Sequence, residues 1–279
     1  MCFSQVFLFV DGKKFLQVVS LLMCLIAAQQ YSRAEEFQLE GKIEHSQTLP
    51  PVQPDFEVGK KFDERKFRSH HHASSTLWWR VPGWLVGSWQ NVGRTHQIKV
   101  RDLHSNQTFG ADTKAIYYPE QEVIGLQKDS NGDVWTTVPT PYFTRSRIGR
   151  VMNVHQVTMV EPVQSGKEQV VLRLIATTYS VDMGSNKILS ISQRESLQTY
   201  RSVDSGKIIV LSSVKFYDDH GEPKYTSDLL THSRRHAGFT ELQYWTAPGT
   251  GLSIIDLRKS FVEYLHKEKL DYLIPRNLS

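Results

Sequence analysis

From Trp84 to about Tyr244 β-rich runs, several of them alternating apolar and polar residues with a period of two, are separated at fairly even intervals by clusters of Gly, Asn, Asp and Ser. Within 171–179 and 188–197 the alternation is broad, the pattern of a sheet with one face buried and one face wet. Strands are predicted at 96–101, 115–118, 122–127, 134–138, 151–160, 169–181, 188–200, 208–217, 224–233 and 239–245. The separators include Asp129-Ser-Asn-Gly132, Gln164-Ser-Gly166, Met183-Gly-Ser-Asn186, Asp204-Ser-Gly206 and Asp218-Asp-His-Gly221. They supply the Gly and Asn that tight hairpins use for positive φ. Sequential hairpins without a long helical crossover predict a mainly β, antiparallel up-and-down meander. Eight or more such strands avoid exposed edges most readily by closing into a barrel, with a β-sandwich as the competing architecture.

After Ser253 the period changes. Ile254, Leu257, Phe261, Tyr264 and Leu265 recur at three- and four-residue spacing, which predicts an amphipathic helix over 253–268. The stripe fades at Lys269, leaving a short apolar tail before Pro275.

Upstream of the meander the pattern is different again. Lys13 and Lys14 precede an apolar run from Phe15 to Ala28, and Ser32-Arg-Ala34 places small residues where a signal peptidase reads. Residues 1–34 are therefore expected to be an export signal, too short in its apolar run to span a bilayer. Its long, apolar beginning leaves a mis-assigned start codon or an uncleaved anchor as alternatives. Both cysteines, Cys2 and Cys24, fall inside it. The mature chain then has no thiol, which excludes disulfides and a disulfide-linked partner and favours a bacterial envelope location, periplasmic or extracellular. Residues 35–76, with Pro50-Pro-Val-Gln-Pro54 and many charges, read as a flexible tether, although Phe56, Phe62 and Phe67 offer the alternative of local packing. The folded domain is expected over 77–279. Removing the signal takes three cations and one anion from a formal charge of +4, and the remainder is dispersed, which gives no footprint for nucleic acid.

Four of the six tryptophans lie within twelve residues, at Trp78, Trp79, Trp84 and Trp89, at the head of the meander. Each ring buries roughly 150–250 Å², so the cluster has to close a core, line a cavity or meet another surface. Core closure by Trp84 and Trp89, with Trp78 and Trp79 stapling the tether, is weighed against direct ligand contact; Trp135, in the 134–138 run, joins the same aromatic set. Gly87-Ser-Trp89 reads as Gly-x-Trp opening a strand. Together with the leader, the hairpins and the terminal helix, it resembles the lipocalin and wider calycin group over about residues 84–270. The resemblance implies a tryptophan that closes one end of a barrel and an arginine from late in the barrel packed over its ring. Gly87 and Trp89 match the first part, and Arg234 or Arg235 is placed to supply the arginine. The group's loop motif and disulfides are missing.

Other chemistry is weaker. His70-His-His72 has imidazoles for a transition metal but sits in the tether, and His232 and His236 have four-residue spacing on a strand rather than a helix. Arg145, Arg147 and Arg150 read as a solvated basic loop rather than a site for an acidic ligand. Asn106-Gln-Thr108 and Asn277-Leu-Ser279 are sequons that matter only in a eukaryotic secretory pathway. No nucleophile elbow, phosphate loop or dinucleotide fingerprint occurs, so no catalytic residue, metal or cofactor is assigned. The expectation is an exported, non-enzymatic binding protein for an apolar or amphipathic small molecule. An envelope assembly protein with a filled barrel that docks a protein partner is the alternative, and a hydrolase is third.

Overall fold

The computed structural model describes residues 43–63, 76–92, 96–110, 121–246 and 254–276. The expected export signal, the start of the tether, Phe67, the His70–His72 tract, the predicted strand at 115–118 and the last sequon lie outside these residues.

The fold is mainly β and antiparallel throughout. In chain order the strands are β1 (Trp78–Arg80), β2 (Gly87–Asn91), β3 (His96–Asp102), β4 (Thr108–Gly110), β5 (Gln121–Ile124), β6 (Gln127–Lys128), β7 (Val134–Thr137), β8 (Tyr142–Ile148), β9 (Val151–Ser165), β10 (Gln169–Asp182), β11 (Ile188–Asp204), β12 (Lys207–Tyr217), β13 (Pro223–Ala237), β14 (Tyr244–Thr246) and β15 (Ile254–Asp256). One large sheet has the order β4-β3-β13-β12-β11-β10-β9-β8, and β2 lies beside β3 on the same edge of β13 and carries β5. Five consecutive long strands, β9 to β13, are joined by the hairpins that the turn residues predict. Among the described residues no ladder joins β5 to β8, so hydrogen bonds do not close the sheet into a barrel.

Register along β10 to β13 is continuous enough to assign faces. On β10 the even residues Val170, Leu172, Leu174 and Ala176 share one face, which continues through Tyr200 and Gln198 of β11, Val210 and Ser212 of β12, and Thr231 of β13. This inner face carries the main core, where Val170, Leu172, Ile208, Val210, Leu85 and Trp89 are buried together.

The opposite, outer face is not left to water. Residues 44–63 cross it as a strap, so Phe56 and Phe62 take the packed alternative rather than belonging to a free tether. Both rings are buried against Tyr179, Ile191 and Val154, with the Phe56 and Tyr179 ring centroids 5.3 Å apart. Backbone bonds tie the strap to the β10–β11 hairpin (Phe62 N–H to the Asn186 carbonyl, 2.8 Å) and to the β12–β13 hairpin (Leu49 N–H to the Gly221 carbonyl, 3.0 Å). Gly221 has φ +85°, and a Cβ there would stand 1.8 Å from the Leu49 carbonyl oxygen, so only glycine admits the strap at this point.

The terminal helix α1 runs Leu257–Lys267, shorter than expected, because the Asp256 side chain caps it by accepting from the Lys259 N–H at 3.0 Å. Ile254 is therefore not on the helical stripe: it lies on β15, paired with β14, and is 70% exposed. Leu257, Phe261 and Leu265 pack under the small β1-β7-β6 sheet against Trp78 and Trp135. None of the described helices is long and apolar enough to cross a membrane.

Three strand expectations need correction. The run 122–127 is split at Gly125, whose φ of +95° breaks the extended backbone. Residues 239–243 are not a strand, because Leu242 spends its N–H on the Leu126 carbonyl and its carbonyl on the Gln127 side chain. The basic 145–150 stretch is not simply a loop. Arg145 and Arg147 lie on the edge strand β8, where charges discourage further pairing, and Arg150 lies 3.8 Å from Asp182.

Candidate functional site

The strongest candidate is a cavity of about 650 Å³ on the inner face. Its apolar wall comes from Val160, Leu172, Leu174 and Val210, inward positions of β9, β10 and β12 that follow from the two-residue period. The other side is built from Val138, Tyr142 at the start of β8, Leu242, and Tyr244 and Trp245 of β14. Tyr142 and Trp245 meet edge to face at 5.7 Å, beside the seam where β8 is unpaired. The volume lies within the roughly 300–1,000 Å³ of small-molecule pockets.

Polar side chains line the cavity as well, among them Asn91, Gln121, Glu122, Thr137, Gln198 and Thr246. Glu122 on β5 stands opposite Trp89 in register and reaches the cavity beside Tyr200 and Gln198. The Tyr200 hydroxyl lies 2.9 Å from Glu122 Oε1 and 3.1 Å from Gln198 Oε1; its single proton serves one of them at a time. Burial first, and then the adjacent Glu122 charge, push the Tyr200 phenol well above its usual range, so it stays a protonated donor. Ser212 and Thr231 add hydroxyls to the wall.

Below the cavity the inner face is packed solid around Trp89. This indole is 1% exposed and donates Nε1–H to the Leu85 carbonyl at 2.8 Å. The Arg235 guanidinium lies over its ring, 4.6 Å from the centroid, and donates to the carbonyls of Val86 (2.6 Å), Trp84 (2.7 Å) and Ser205 (3.1 Å). Gly87, at φ +136°, would carry a Cβ only 2.6 Å from the Ala237 carbonyl oxygen; its lack of a side chain lets β2 meet β13 here. Arg234 points the other way and is exposed. Trp84 is half-buried against the same core. Trp135 is elsewhere, beneath α1, with its Nε1–H on Asp129 at 2.9 Å and the Arg80 guanidinium 5.1 Å from its ring. The structure thus brings Trp84, Gly87, Trp89 and Arg235 together, sets Arg234 and Trp135 apart, and puts none of the six on the cavity wall.

Beyond the cavity the inner face becomes polar. His155 on β9 has its Nε2 3.1 Å from Ser146 Oγ and its Nδ1 2.9 Å from Thr178 Oγ1. Burial, and then the Arg194 charge, lower its pKa, which keeps the imidazole neutral at neutral pH. A hydroxyl beside a neutral imidazole has the form of a nucleophile–base pair, but the orienting group is a threonine where acyl-transfer triads use a carboxylate or amide. Both His232 and His236 are exposed on β13, and among the described residues no group of three or more His, Cys, Asp or Glu is arranged to hold a metal.

The cavity residues Glu122, Gln198, Tyr200, Tyr142 and Trp245 were not singled out by the sequence. The available signal was the spacing of Gln198 and Tyr200, two inward positions of one strand with a polar and an aromatic residue side by side. No described protein family, curated protein or solved structure matches the chain. The calycin resemblance therefore rests on the order of elements and on the Gly87, Trp89 and Arg235 constellation.

Proposed function

We propose that the protein is an exported, non-enzymatic binding protein that carries an apolar or amphipathic small molecule inside the curved sheet. The observation that carries this reading is the 650 Å³ cavity, with an apolar wall from β9, β10 and β12 and polar groups elsewhere in its lining, beside a packed core. In this reading the sheet works as a barrel, Trp89 and Arg235 close one end, and β7, β8 and β14 cover the seam that hydrogen bonds leave open. A barrel that serves only to dock a protein partner has no use for such a space. The hydrolase reading has a Ser146–His155 pair, with Thr178 on the other imidazole nitrogen. The signal-like residues 1–34 support export, and the missing cysteines of the remainder support a bacterial envelope.

Trp245 lies on the cavity wall, so tryptophan emission reports occupancy. Titration with single-chain amphipaths is expected to change emission saturably, to bury apolar surface with a negative heat-capacity change, and to return the ligand intact. No saturable response to any chain length or head group, with native mass spectrometry also showing no adduct, overturns the carrier reading and leaves partner docking.

A further inference from the structure

We propose that one end of the large sheet docks on a lipid bilayer carrying anionic head groups. Register defines this end. The β8–β9 turn lies level with the β10–β11 turn: Ile148 pairs with Val151, Val151 pairs with Asp182, and the Met183 N–H donates to the Arg150 carbonyl at 2.9 Å. The strap reaches the same level, where the Gly59 N–H meets the Ile188 carbonyl at 2.8 Å and Lys61 forms a backbone bridge with Lys187. The acidic β12–β13 turn, with Asp218, Asp219 and Glu222, stands back from it. Tyr217 is opposite Gln193 rather than Ile188, a setback of roughly 17 Å at about 3.4 Å per residue.

Each segment at this leading edge presents a large apolar side chain to water. Ile148 is 67% exposed, Val58 55%, and Met183 and Leu189 48% each. Single exposed apolar residues are ordinary, but these are gathered at one end. The charges among them select the surface. Arg147, Arg150, Lys187, Lys60 and Lys61 are exposed at the same level. The carboxylates there, among the described residues, are Glu57, Asp63 and Asp182, so the excess is positive. Glu57 lies 2.8 Å from Lys60, and Asp182 accepts from the Ser185 N–H and hydroxyl and lies 3.8 Å from Arg150. Apolar side chains set among lysines and arginines fit the boundary between acyl chains and anionic head groups, where apolar burial and charge attraction add. A protein partner requires a closely packed matching face, whereas separate protruding turns suit a fluid surface that adjusts to them. This end is the one away from Trp89 and Arg235, which the Arg235 bond to the Ser205 carbonyl places at the β11–β12 turn. Docking here does not require the cavity to be occupied.

The test exposes the full chain to vesicles of phosphatidylglycerol or of phosphatidylcholine, each doped with a photoactivatable form of its own lipid, and maps the cross-links by mass spectrometry. Cross-links to phosphatidylglycerol are expected within 57–61, 145–151 and 182–189, about tenfold more than to phosphatidylcholine, and they should fall as salt screens the charges. Ile148→Ser combined with Met183→Ser should reduce them about fivefold or more. Val203→Ser, at a residue 57% exposed near the β11–β12 turn, should leave them unchanged. Circular dichroism checks that the double variant folds; if it does not, the wild-type map decides alone. Cross-links confined to residues 1–34 or to the opposite end, equal labelling by the two lipids, or a folded double variant that labels like the parent overturns the inference and leaves the carrier reading standing.

Discussion

The two faces of β10, β11 and β12 use buried polarity in opposite ways. On the outer face Glu195 is fully buried, yet it is surrounded: Arg173 Nε lies 3.0 Å away, His45 Nδ1 3.4 Å, and the carboxylate accepts from the Ser46 N–H at 2.7 Å and the Tyr217 hydroxyl at 3.0 Å. Lys215 then grips the Ser46 carbonyl at 2.7 Å. Every one of these partners comes from the fold itself, from β10, β12 and the strap. On the inner face buried Tyr200 and half-buried Gln198 border the cavity, and Glu122 reaches Tyr200 from its exposed position on β5. A buried charge is tolerated when the fold itself answers it, and then its role is to fix the fold. Gln198 and Tyr200, set beside the cavity, lie where a bound molecule would meet them. The difference separates a clamp from a site, even though both draw residues from β11 and β12.

The largest effect that sharpens this contrast is expected at the packed end of the inner face. Trp89→Ala should cost about 3–5 kcal/mol, the range for emptying a buried aromatic position. The sequence alone suggests a much smaller cost at Trp78, on the tether side of Pro82. The structure revises that, since Trp78 is also 1% exposed, lies 4.9 Å from the Phe261 ring and donates its Nε1–H to Ser260 at 3.3 Å. Losses of comparable size in urea denaturation are now expected for both. A Trp78→Ala chain as stable as the parent would show that α1 docks without it.

The outer clamp is the next largest, and it is tested by acid. Burial alone would raise the Glu195 carboxyl, but hydrogen bonds from His45, Ser46 and Tyr217, with the His45 charge, outweigh it and hold the group at about 2, against an ordinary 4.5. Because the folded value is the lower one, the contribution is fully present above pH 4.5 and is lost as the pH falls through about 2. The gap corresponds to roughly 3 kcal/mol. Denaturation midpoints measured between pH 5 and 2 should fall more steeply for the parent than for Glu195→Gln. Asp182 and Asp218 are also held low, by Ser185 for the first and, against burial, by Lys224 for the second, and they leave a common slope in both chains. Equal slopes would mean that the strap does not depend on the charge of Glu195.

The strands and hairpins were legible because Gly132, Asn186 and Gly221 mark turns whose positive φ few other residues accept. What the alternation could not tell was which face is wet. In 188–200 the apolar Ile191 and Leu197 face outward, where the strap covers the first of them, while polar Ser196 and Gln198 turn inward. A pattern that normally separates core from water here separates a covered exterior from a polar-lined interior. The strap itself was masked by its prolines and charges, since only scattered apolar residues, Leu49, Val52, Phe56 and Phe62, anchor it beside its backbone bonds. The cavity was hidden for a related reason: Ser212, Thr231 and Gln198 are ordinary solvent-face residues until the sheet curves around them. β8 was missed because Arg145 and Arg147 occupy the alternating positions that apolar residues take in the longer strands.

The smallest expected effects come from two neighbouring arginines at the packed end, which the sequence could not tell apart. Arg235 faces inward. Removing its side chain leaves the carbonyls of Trp84, Val86 and Ser205 without their charged donor and takes the cation off the Trp89 ring. Hydrogen bonds to a charged group contribute about 1.5–3 kcal/mol, and water reaches some of these carbonyls once the side chain is gone, so Arg235→Ala should cost about 2–3 kcal/mol. Arg235→Lys should recover little of it, because one ammonium cannot span three carbonyls and lie flat on an indole. Arg234 shares the same stretch of β13 but is exposed on the outer side of the sheet. Its replacement by alanine should change stability by no more than about 0.5 kcal/mol, as for most surface substitutions. The pair is measured in one background by urea midpoints and by the near-ultraviolet dichroism of the indoles, which only Arg235→Ala should alter. If the two variants lose the same amount, the inward face at this end is no more demanding than the outward one, and Trp89 is held by packing without the arginine.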